Sequence, residues 1–145
     1  LVPTSNASPK DSGKAVPAEV GVGSPDFALV VLTNAPDAET AERISRALVD
    51  ERLAACVNLL APCRSIYRWQ GEVETAQEIP MLVKTTRSRF AALGARLREL
   101  HPYEVPEMLA FRPDAGLPAY LDWVLASCRP ARQPSRSQRA TSSEK

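Results

Sequence analysis

Long hydrophobic runs are missing from this chain of 145 residues. None approaches the roughly 18 apolar residues that a membrane-crossing helix needs, so no membrane span is expected. The N-terminal LVPTSNASPKDSGK also lacks the apolar centre of a secretory signal. Cysteine is sparse: Cys56, Cys63 and Cys128. Three thiols without regular spacing make no disulfide framework, and no C-x-x-C or four-ligand zinc pattern occurs. Reduced thiols and a cytoplasmic setting are the expectation. Histidine is scarcer still, with His101 alone. Any Ser-His-Asp arrangement would rest wholly on it, and no nucleophile with a paired base is visible. No glycine-rich phosphate loop is present. A basic face is lacking too. Residues 26–128 carry eleven Lys/Arg against fourteen Asp/Glu. Together with the lack of an RNP-like aromatic motif, this argues against nucleic acid as a partner. The expectation is a protein that is not an enzyme and requires no cofactor.

What is present falls into three parts. Residues 1–25 hold Pro3, Pro9, Pro17 and Pro25 among Ser, Gly and Ala and read as a disordered leader. Residues 129–145 carry five basic residues and Glu144 and read as a basic disordered tail. The domain is 26–128. It opens on 27-FALVVLT-33, an apolar β-branched run expected to be a strand buried on both faces. Asn34-Ala35-Pro36 should end it and Asp37 should cap a helix to about Arg52. In that helix Ala41, Ile44, Leu48 and Val49 share a face.

The segment 55-ACVNLLAPCRSIYRW-69 is long for one strand, and Pro62 predicts a bulge, because proline cannot donate to a ladder. Without the bulge, Cys56 and Cys63 would face opposite sides of the strand. Gln70-Gly71 sits where a hairpin turn is needed, and 72-EVETAQEIPMLVKTT-86 is the return arm. A second helix is expected from about Ser88, with Phe90, Leu93, Leu97 and Leu100 inward and a stop at His101-Pro102. A short strand in 106–113 and a last helix from Gly116-Leu117-Pro118 complete the chain. The last helix should bury Leu117, Tyr120, Leu121, Val124 and Leu125. This order is that of an α+β, ferredoxin-like βαββαβ sandwich with an extra C-terminal helix and a long β-hairpin. The hairpin's surplus of apolar residues (Leu59, Leu60, Ile66, Tyr67, Trp69) points to association between copies of the chain.

The most crowded polar stretch is 101-HPYEVPE-107. Here His101, Glu104 and Glu107 are candidate ligands for a divalent metal, stiffened by Pro102 and Pro106. The plainer reading is a helix stop, with an imidazolium at the helix's negative end. Arg64 and Arg68 share a strand face, and the plain reading is a solvated edge or an intersubunit salt bridge.

Six stretches now stand in order: 35-APD-37, 53-LAACVN-58, 65-SIYRWQGEVE-74, 83-VKTT-86, 101-HPYEVPE-107 and 119-AYLDWV-124. Together they resemble the CutA family of divalent-cation tolerance proteins over about 27–127. The resemblance implies a tight homotrimer of PII-like architecture and a role in tolerance of copper and other divalent metals. It also implies a possible divalent metal, copper, as ligand. A PII-like regulatory trimer binding a small metabolite or anion between subunits is the alternative, with Arg64, Arg68 and Lys84 as candidate contacts. Copper-binding members of the family carry a cysteine at the end of the first strand and a histidine pair before Pro-Tyr. Here those positions are Thr33 and Leu100-His101, so His101 alone matches.

Overall fold

The structure, a computed structural model, describes residues 25–132. The expected leader up to residue 24, and the expected tail beyond Arg132, lie outside the described residues. The elements are β1 (Ala28–Ala35), α1 (Ala38–Asp50), β2 (Cys56–Leu59), β3 (Cys63–Trp69), β4 (Glu72–Thr86), α2 (Phe90–Leu100), β5 (Leu109–Phe111) and α3 (Pro118–Ser127). A single 3-10 turn over Arg87–Arg89 precedes α2. The sheet runs β2-β4-β1-β5, and β3 also pairs with β4. These strand pairings are all antiparallel.

The predicted caps and turn explain the element ends. Asp37 accepts a hydrogen bond from the Thr40 N–H at 2.7 Å and starts α1. Gln70 and Gly71 both have positive φ, 46° and 84°. Two such residues in succession form the tight turn whose twist suits a two-residue hairpin. Trp69 therefore lies opposite Glu72.

Pro62 splits the long segment in two. Leu59 pairs with Met81 and Cys63 with Glu78, so three residues on one arm face two on the other. This bulge resets the register. Cys56 sits opposite Lys84 and Cys63 opposite Glu78, both even-numbered positions of β4.

One layer of core lies between the helices and the sheet. Ile44 and Leu48 of α1 and Leu93 and Leu97 of α2 pack on Val31, Met81 and Val83. Four expectations need correction. β1 extends through Ala35, and only every second residue is buried, because no described residue buries the other face. Val49 is exposed rather than inward. Of the five residues expected to be buried by α3, only Val124 is, since α3 rests on the sheet by one narrow line with Ala28, Ala55 and Cys128. The strand predicted in 106–113 is reduced to Leu109–Phe111.

Candidate functional site

His101 is the C-terminal cap of α2, where its backbone N–H donates to the Leu97 carbonyl. Its side chain is buried, with 6% of the residue exposed. Both ring nitrogens are engaged. The Tyr103 N–H donates to Nδ1 at 3.1 Å, so Nδ1 carries no proton in this arrangement. Nε2 therefore holds the proton and donates to the Asn34 carbonyl at 2.7 Å. The imidazole is a bolt between the end of β1 and the turn after α2. Burial lowers its pKa, against the Asn34 carbonyl and the Glu78 carboxylate, which favour the charged form. The expected imidazolium at the helix end is thus corrected to a neutral ring.

Tyr103 stacks at a tilt on His101, with ring centroids 4.7 Å apart. Burial, with Glu78 adding to it, pushes its phenol up to about 12. Glu78 itself is fully buried. The Asn34 amide donates to Glu107 Oε2, so Asn34 links the two halves of the site. Its carbonyl holds His101 and its amide holds Glu107.

The candidate ligands separate at this point. Glu107 lines a cleft of about 480 Å³ with Asn34, Ser65, Tyr67 and Glu78. Glu104 instead lines a groove of about 370 Å³ beside α2. Among the described residues no three His, Cys, Asp or Glu side chains gather in a metal-holding group. The cysteines are free. Cys56 Sγ lies 3.9 Å from the Tyr120 hydroxyl and Cys63 Sγ 3.8 Å from Ser65 Oγ. Burial pushes the Cys128 thiol up. Arg64 and Arg68 share the exposed face of β3, and Arg68 donates to the Gly71 carbonyl. Neither arginine, nor Lys84, lines the Glu107 cleft.

Asn34, Glu78 and Tyr103 were not singled out from the sequence. Glu78 had a signal, as a lone acid where 78-EIPMLV-83 turns apolar. Asn34 had none, because its role depends on partners 67 and 73 positions away.

Thr33 is buried against the helix layer, and its hydroxyl has no hydrogen-bond partner among the described residues. An unmatched buried hydroxyl costs about 1–3 kcal/mol. Thr33→Val should raise the thermal midpoint, by about 1 kcal/mol of stability after some loss in packing fit. A lower midpoint in calorimetry would mean that the hydroxyl has a partner.

The comparisons with known proteins agree with this architecture. The family profile described as CutA1 divalent ion tolerance protein matches residues 29–127. The divalent-cation tolerance protein CutA of Thermus thermophilus is 53% identical over 95 residues, covering 66% of this chain and 92% of that protein. The human protein CutA is 39% identical over 123 residues, covering 84% of this chain and 64% of that one. The crystal structure of CutA from Xylella fastidiosa superposes with a TM-score of 0.69 at 46% identity, over 70% of this chain and 98% of that chain. No helix among the described residues is long and apolar enough to cross a membrane. With 99 consecutive residues matching one family profile, this chain belongs to the CutA1 divalent ion tolerance protein family.

Proposed function

We propose that the chain is the ferredoxin-like subunit of a cytoplasmic, PII-like homotrimer that serves divalent-cation tolerance without catalysing a reaction. The observation that carries the trimer is the uncovered sheet face. Leu109 and Phe111 lie opposite Leu32 and Val30, and both are more than half exposed in the isolated chain. A contiguous apolar face of this kind marks an interaction surface. The names of the relatives support the tolerance role. Native mass spectrometry of the isolated protein reads oligomer size and any retained ion together, and a monomer would overturn the assembly.

Direct copper contact through His101, Glu104 and Glu107 meets an obstacle. The two carboxylates open onto different cavities, and both imidazole nitrogens are already bonded. Within one chain the three do not fit a single centre. For His101 to ligate, the ring must first give up the Tyr103 N–H at Nδ1. Copper titration of wild type and His101→Ala should therefore give affinities that agree within about twofold. A loss of about tenfold, ~1.4 kcal/mol, would make His101 a ligand after all.

A second reading, a small anion or metabolite between subunits, is favoured by the exposed Arg64 and Arg68 on one face. A thermal-shift screen separates the two readings. A metabolite that raises the midpoint where copper does not would favour the regulatory trimer.

A further inference from the structure

The groove beside α2 borders the Glu107 cleft at Met108, which lines both, and is otherwise lined by different residues. Its floor is apolar, formed by Phe90, Gly94, Ala95 and Met108. Two charged side chains also line it, Arg98 from α2 and Glu104 from the segment before β5. Neither makes an ion pair or hydrogen bond with a described residue, and they do not pair with each other. The other basic side chain midway along α2, Arg96, is by contrast held by Glu51 and Glu99 at 2.9 Å each. The volume, about 370 Å³, falls within the range of about 300–1,000 Å³ usual for small-ligand sites.

Gly94 sets the depth of the groove. A Cβ placed there would stand 3.0 Å from Met108 Cε and 3.4 Å from its Sδ. The absent side chain lets Met108 lie close against the helix, and the apolar floor stays open.

From this lining we propose that the groove binds a small zwitterion with an apolar side chain, the chemistry of a free apolar α-amino acid. Arg98 meets the carboxylate, a planar group that a guanidinium matches with two donors. Glu104 meets the ammonium, and the side chain replaces water on the Phe90–Met108 floor. A purely apolar ligand would leave both charges unused, and a simple anion or cation would use one and face the other.

Calorimetric titration of the full chain with L-leucine and L-phenylalanine tests this. Saturable binding is expected at roughly millimolar concentration, ordinary for so few ligand atoms. 4-Methylpentanoate lacks the ammonium of leucine, and 3-methylbutylamine lacks its carboxylate. Each should bind about tenfold more weakly than leucine, which is the loss of one charged contact. Arg98→Ala and Glu104→Gln are both exposed substitutions, and each should cost leucine about tenfold. Gly94→Ala adds a good helix former but pushes Met108 into the groove, so the thermal midpoint should hold or rise while leucine affinity falls. Three results would overturn the proposal: no saturable heat from either amino acid, analogues that bind as well as leucine, or both charge variants binding like wild type.

Discussion

His101→Ala is expected to lower the unfolding free energy by about 2–4 kcal/mol in metal-free buffer, from two lost hydrogen bonds whose partners are each worth about 1–3 kcal/mol when left unmatched. The partners are the Asn34 carbonyl and the Tyr103 N–H. The substitution also empties space beside the Tyr103 ring. His101→Gln retains one donor and one acceptor and should recover part of the loss. Urea denaturation at fixed protomer concentration measures both variants, since the proposed assembly would make stability concentration-dependent. A second signature is pH. The folded state holds the ring neutral, with its pKa below the ordinary 6.5. As pH falls through about 6.5, the unfolded chain takes up the proton first. Wild-type stability should therefore be complete above that value and decline from there to the lowered folded pKa. His101→Ala should lack this contribution. Equal acid slopes in the two proteins would show that the ring is not held neutral.

Much of this site was readable at the level of elements, and little at the level of partners. Asp37, the Gln70-Gly71 turn and the Pro62 bulge act through neighbours a few residues away, and their chemistry is local. The inner faces of α1 and α2 follow from helical spacing. His101 stood out as the lone histidine and as the stop of α2. Its neutral form did not, because that depends on Asn34 arriving from β1. The separation of Glu104 from Glu107 was equally hidden. They are three residues apart with Pro106 between them, and only the fold shows that each opens onto a different cavity. Burial on β1 and α3 was overestimated for a related reason. Apolar periodicity reports what will be covered, but it does not distinguish the chain's own core from a neighbouring copy.

That distinction makes the strongest prediction about assembly. Phe111→Glu should convert the proposed trimer to monomers at concentrations where wild type sediments as one assembled species. Phe111 is 55% exposed in the single chain and lies directly opposite Val30, and it shares a sheet face with Leu109 and Leu32. Fully burying such a side chain is worth about 1.5–3 kcal/mol. A carboxylate in its place loses that gain and adds several kcal/mol for an unpaired buried charge. In the proposed trimer symmetry repeats both terms at each interface. The variant's thermal midpoint should fall and vary with protein concentration. Ile66→Glu separates the hairpin from the sheet face. Ile66 is 66% exposed between Arg64 and Arg68, so a new glutamate there has cations beside it and should weaken assembly less. If Phe111→Glu sediments as wild type while Ile66→Glu dissociates, the hairpin and not the sheet face joins the subunits.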